Sequence, residues 1–136
     1  MKVFSATIEG NTRDGFWVYS DEELCAHTLN GHGATIEEAK QDIEEYAEYI
    51  LKEETEGIPD ELKDGYTFKY KMTVEAFLSV FTPVLGKKGI ERLTGISNKQ
   101  LWKYQNGTEP RQAQIKKMQD GLFDFAKELS RITLVD

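Results

Sequence analysis

The chain has 136 residues, 39% of them apolar and 30% charged, enough for one domain or two small ones with an ordinary globular core. No stretch approaches the roughly 18 apolar residues of a membrane span, and the opening MKVFSATIEG lacks the basic-then-apolar layout of a secretory signal, so a cytoplasmic protein with no membrane role is expected. The single cysteine, Cys25, excludes a disulfide framework, and the net charge of −7, taken whole, argues against nucleic acid.

Alternation of Phe4, Ala6 and Ile8 with Ser5, Thr7 and Glu9 predicts a strand over Val3–Glu9. Turn chemistry follows at Asn11 to Gly15, where Asp14-Gly15 is the strongest pair. A second strand is predicted over Phe16–Tyr19 and a third over Leu24–Leu29, closed by Asn30-Gly31. Thr35 and Glu38 form a capping box. Beyond it Ile36, Ala39, Ile43, Ala47 and Ile50 fall at helical spacing, with glutamates on the remaining positions. Gly57-Ile58-Pro59-Asp60 is read as the helix stop, and Tyr66, Phe68 and Tyr70 alternate with Thr67, Lys69 and Lys71 as a last strand. The fold class expected is α+β: a small antiparallel sheet covered by one helix over residues 1–71, then an all-α domain over 72–136.

In that second domain the period changes to 3.6. Val74, Phe77, Leu78 and Phe81 make an apolar stripe that Pro83 is expected to stop. A short helix runs from Lys87 to Leu93 with Ile90 and Leu93 inward. Gly95 marks a left-handed terminus, and Ser97 caps the next helix with Gln100 three residues on. Leu101 and Tyr104 face inward, Asn106-Gly107 ends this helix, and Pro110 opens a last one striped by Ile115, Met118, Leu122, Phe125, Leu129 and Ile132.

The charge is divided between these halves. Residues 1–65 carry 5 Lys/Arg against 17 Asp/Glu, residues 66–136 carry 12 against 7, and residues 87–117 carry 8 against 2. One half can meet phosphate while the other repels it. Ile90, Leu93, Gly95, Ile96 and Leu101, in two brief helices around a short turn, have the spacing of a helix-turn-helix. In that motif the second helix enters the major groove, which puts Asn98, Lys99, Trp102 and Lys103 outward as candidate base-reading residues, and the capping Ser97 is a further candidate DNA contact. Gln100 is divided between capping and base contact, and Trp102 between DNA and a core or dimer interface. Lys87, Lys88, Arg92 and Arg111 are the candidate phosphate contacts.

Catalytic candidates are weaker. His27 and His32, or Asp21, Glu22 and Glu23, invite a metal, but no third ligand lies at a recognised spacing. No nucleophile–base signature or phosphate loop is present. No enzyme, metal or cofactor is expected. A residual nuclease using Asp14, Asp21 or Glu22 is the weakest of the alternatives.

With both halves read, the chain resembles the HicB-type antitoxins of bacterial toxin–antitoxin pairs. The resemblance rests on Asp14-Gly15-Phe16-Trp17-Val18-Tyr19 followed by Gly33-Ala34-Thr35-Ile36-Glu37-Glu38-Ala39, and on the repressor-like Leu93-Thr94-Gly95-Ile96-Ser97 and Leu101-Trp102-Lys103-Tyr104-Gln105-Asn106-Gly107. It implies a truncated ribonuclease-H-like first domain that neutralises a small ribonuclease toxin, HicA, autorepression through operator DNA, and a homodimer or tetramer. Where the family carries a stretch such as P-D-L-P-G-C, this chain has Ser20-Asp21-Glu22-Glu23-Leu24-Cys25. An acidic domain also suits masking of a basic RNA-cleaving surface. A stand-alone regulator without a toxin, and a dimerising adaptor that does not bind DNA, are the alternatives.

Overall fold

The computed structural model describes residues 1–54 and 56–136 and divides the chain into two compact units, Met1–Ala76 and Phe77–Asp136. The fold is α+β, with a four-stranded sheet and five α-helices among the described residues. None of the helices among the described residues is long and apolar enough to cross a membrane.

In the first unit β1 (Lys2–Asn11), β2 (Gly15–Ser20), β3 (Asn30–Gly33) and β4 (Tyr66–Met72) form one sheet in the order β3-β2-β1-β4. The β1–β2 turn is held by Asn11, whose Oδ1 accepts from Asp14 N at 2.7 Å and Arg13 N at 3.0 Å, the side-chain mimicry of a backbone turn that favours Asn there. The sheet is mixed, which corrects the antiparallel expectation. β1 pairs antiparallel with β2 but parallel with β4, Lys2 opposite Tyr66 through Ile8 opposite Met72. Alternation with period two is the same in either direction. What sets the direction is the helix α1 (Ile36–Glu53), a crossover long enough to return the chain to the start of β1, as parallel pairing requires.

The third strand also lies elsewhere than expected. Leu24 and His27 exchange backbone hydrogen bonds of 2.9 Å across a two-residue turn in which Cys25 and Ala26 take φ of 49° and 65°. Left-handed backbone costs non-glycine residues on the order of 1 kcal/mol each, so Leu24–Leu29 cannot run as a strand. Pairing resumes at β3, whose Gly31 and Gly33 pass beneath α1. A Cβ on Gly31 would stand 2.6 Å from Ile43 N, so close approach to the helix, rather than strand propensity, selects these residues.

α1 forms as its capping box dictates. Thr35 Oγ1 accepts from Glu38 N at 3.1 Å, while the Glu38 carboxylate reaches one residue further back, to Ala34 N at 2.9 Å. Its five predicted apolar positions are all buried, as are Phe4, Ala6, Ile8, Phe16 and Val18 of the sheet, and the helix lies against β3 and β2. The helix stops at Glu53, ahead of Gly57–Asp60, and a 3-10 turn at Asp60–Leu62 buries Leu62.

In the second unit α2 (Val74–Leu85), whose first turn belongs to the first unit, precedes α3 (Lys87–Thr94), α4 (Asn98–Gln105) and α5 (Gln112–Leu129). Pro83 does not stop α2; it occupies the last turn, where one backbone bond is forgone and Gly86 N still reaches Thr82 O at 2.8 Å. The core is Leu78, Ile90, Ile96, Leu101, Tyr104 and Met118. α5 begins after Arg111 rather than at Pro110. Of its predicted stripe only Met118 is buried, and Leu129 and Ile132 are 55% exposed, Ile132 beyond the helix end.

Candidate nucleic-acid interface

The turn between α3 and α4 is built by four residues. Gly95 takes φ of 72° at the C-terminus of α3, and its N–H returns to Glu91 O at 2.8 Å. The buried Thr94 hydroxyl donates to Ile90 O at 2.7 Å and accepts from Ile96 N at 3.2 Å, so the polar atoms of the turn are satisfied inside the unit. Ser97 Oγ accepts from Gln100 N at 3.2 Å. Glu91, not foreseen in this role, accepts from Asn98 N at 2.7 Å. Two of the orphan N–H groups of α4 are thereby capped, and α3 is tied to α4. Lys117 Nζ, on α5, donates to Gly95 O at 3.1 Å.

α4 presents Lys99, Trp102 and Lys103 to solvent, three residues on one face of a helix, with Trp102 61% exposed. Burial in the core of this unit is therefore excluded for Trp102. Ser97 is exposed and Gln100 half-buried. Asn98, expected outward, is half-buried, and its Oδ1 is shut from solvent without a hydrogen-bond partner. Its place in the first turn of α4, packed towards α2, turns the carboxamide inward. Lys87, Lys88, Arg92 and Arg111 are exposed. Among the described residues, none of Lys87, Lys88, Arg92, Lys99, Lys103 or Arg111 makes an ion pair, whereas Lys116 is paired with Asp120 at 2.7 Å. Six of the eight cations of residues 87–117 thus remain available to phosphate. No family model, curated protein or solved structure matches the chain.

The acidic residues of the first unit are dispersed. Asp14 bonds to Arg13 and Asn11, and the guanidinium followed by the amide holds its carboxyl below the usual range. Asp21 pairs with Lys71 at 3.0 Å, and Glu22 with Lys2. Asp14 precedes β2 and Asp21 follows it, roughly 20 Å apart at strand rise, too far to share an ion. No group of three or more potential metal ligands exists among the described residues. His32 stacks near Trp17, ring centroids 4.8 Å apart, and His27 closes the Leu24 turn.

On α1, Glu37, Glu38, Glu44, Glu45 and Glu48 are exposed. Two of them bind β4: Tyr70 Oη donates to Glu44 at 2.7 Å and Tyr66 Oη to Glu48. Burial first, and then the carboxylates, raise both phenols well above the ordinary tyrosine value.

Proposed function

We propose that the chain is a HicB-type antitoxin and transcriptional autorepressor, with no catalysis of its own. In this reading α3 and α4 bind operator DNA, and the acidic first unit binds a small ribonuclease toxin. The observation that carries it is the Lys99–Trp102–Lys103 face of a capped α4, following a left-handed glycine turn and flanked by Lys87, Lys88, Arg92 and Arg111, none of them neutralised by an ion pair among the described residues. Base contact falls to Lys99 and Lys103, with Trp102 beside them, the other four cations position the unit on phosphate, and all six displace counterions from the duplex. Ser97 lies close to the groove with its hydroxyl engaged in the cap, whereas Gln100 gives the cap only its backbone N–H, which leaves its side-chain amide to the groove.

A strand order of three antiparallel strands, then a helix, then a strand parallel to β1 supports a truncated ribonuclease-H-like first unit. Pairing of Asp14, Asp21 and Glu22 with cations supports its acting without hydrolysis. The exposed glutamates of α1 supply a surface complementary to a basic toxin. Phe123, Leu129 and Ile132, each more than half exposed, support self-association through α5, as two DNA half-sites would require.

Binding to a fragment of the protein's own promoter, measured from 50 to 200 mM salt, tests the DNA half. Engagement of all six cations gives a log–log slope near about −5, a loss of roughly three orders of magnitude. The second reading is a dimerising adaptor, favoured by the apolar end of α5, and it predicts a flat or absent response. Pull-down with tagged protein tests the other half: recovery of no small basic partner removes the antitoxin role and leaves a stand-alone regulator.

A further inference from the structure

The helical unit contains a cavity of about 230 Å³ between α2, α3 and α4. Leu78, Ile90 and Leu101, otherwise buried, supply an apolar floor, and Trp102 supplies an exposed aromatic wall. Lys87 and Lys99 also line it, exposed and without a carboxylate partner among the described residues. Asn98 belongs to the same lining, and its Oδ1 is the one buried side-chain polar atom among the described residues without a hydrogen bond. A buried acceptor left unpaired is costly, so rotation of the Asn98 carboxamide towards a donor in the cavity is favoured.

We propose that this cavity binds a small organic anion, a one-ring or short branched carboxylate that also bears an O–H or N–H donor, and that its occupancy opposes DNA binding. Each property answers one group in the lining. The apolar body covers Leu78, Ile90 and Leu101 and stacks on Trp102. The donor meets Asn98 Oδ1 once that carboxamide rotates towards the cavity, since the oxygen is closed to solvent as it stands. The carboxylate lies between Lys87 and Lys99, whose charges have no carboxylate partner among the described residues. The volume exceeds the roughly 150 Å³ that holds a benzene ring, so a substituted single ring fits. A water molecule in the cavity would leave the apolar floor and both cations unmatched.

The consequence for DNA rests on the reading of α4 as the recognition helix. Lys87 and Lys99 are two of the six cations offered to DNA, one to phosphate and one to a base edge, and a carboxylate between them removes both. At physiological salt that weakens operator affinity on the order of tenfold, and lowers the magnitude of the salt slope by about two. By linkage DNA weakens the anion by the same factor.

The test uses the full chain carrying Trp17→Phe, so that Trp102 is the remaining indole of two. Fluorescence titration at constant ionic strength with 4-hydroxybenzoate is expected to saturate with a dissociation constant of about 1 mM or tighter. Benzoate lacks the donor and 4-hydroxybenzyl alcohol the charge, so each is expected to bind roughly tenfold more weakly. Thr82→Phe, at a half-buried lining position, fills the space and abolishes the signal; Lys99→Gln, at an exposed position, weakens it without touching the core. Titration that does not saturate, or that both variants leave unchanged, overturns the site. Saturable binding with undiminished operator affinity overturns the regulation. If the anion binds while no DNA binding occurs at any salt, the operator reading and the regulation fall together and the cavity site stands.

Discussion

Gly121 lies inside α5, where glycine is ordinarily a weakness: alanine at an open helix position stabilises by about 0.5–1 kcal/mol. Here a methyl has no room. It would overlap the Leu93 carbonyl oxygen and come within 3.0 Å of Leu93 C and 3.2 Å of Thr94 Cα. These are backbone atoms at the end of α3, so no rotamer change relieves the overlap, and α3 and α5 must part. Even a gap of about 0.5–1 Å forfeits a quarter to a half of each dispersion contact across it, and overpacked sites cost about 1–3 kcal/mol. The clash outweighs the propensity gain, and Gly121→Ala is expected to destabilise the second unit by about 1–2 kcal/mol. Gly89→Ala is the matched control. It lies in α3 with no atom nearer than Leu85 Cβ at 4.0 Å, so the same substitution there is expected to stabilise by about 0.5–1 kcal/mol. Urea unfolding followed by Trp102 fluorescence, with Trp17→Phe in both variants and the parent, reads the two values. A Gly121→Ala protein as stable as its parent would refute the close crossing of α3 and α5.

Ser97→Ala removes the hydroxyl that accepts from Gln100 N and is expected to cost about 1 kcal/mol by the same unfolding assay. Ser97→Asp keeps the cap but sets a negative charge beside the groove, so stability is retained while operator affinity falls, a split that filter binding resolves. Lys99→Gln and Lys103→Gln are each expected to lower the magnitude of the salt slope by about one; Glu37→Gln, in the acidic unit, should leave it unchanged. The raised phenols of Tyr66 and Tyr70 favour the neutral form in the folded state. Their contribution is therefore complete below pH 10.0, the ordinary tyrosine value, and lost as pH rises through the higher folded values. Denaturant unfolding above that pH should show falling stability in the parent and a shallower decline in a Tyr66→Phe, Tyr70→Phe protein; equal slopes would remove the Tyr–Glu pairs as its cause.

Some of these elements were legible because their causes are local. The α1 face and the caps at Thr35 and Ser97 depend on residues three or four positions apart, and Gly95 on its own dihedral freedom. The cations of the candidate interface were visible once the acidic first half was counted separately. Others misled for definite reasons. Leu24–Leu29 has strand-like composition, yet a turn through Cys25 and Ala26 displaces β3 to a glycine-rich segment with poor strand propensity. Pro83 in a final turn removes too little to end α2. Periodicity in α5 located a face without saying how much of it the unit covers. Glu91 was counted only as a charge, because its bond to Asn98 N bridges two helices and has no signature along the chain.

The amino-acid sequence by itself determined the helices, their caps, the glycine turn and the separation of acidic from basic halves, since each arises from neighbours along the chain or from simple counting. Tertiary structure alone decided that β4 runs parallel to β1, that glycines form β3, that Asn98 turns inward and Trp102 outward, and that a cavity opens beside α4. Each of these depends on which residues distant in the chain come to occupy the same space, and hydrophobic periodicity carries no information about that partner.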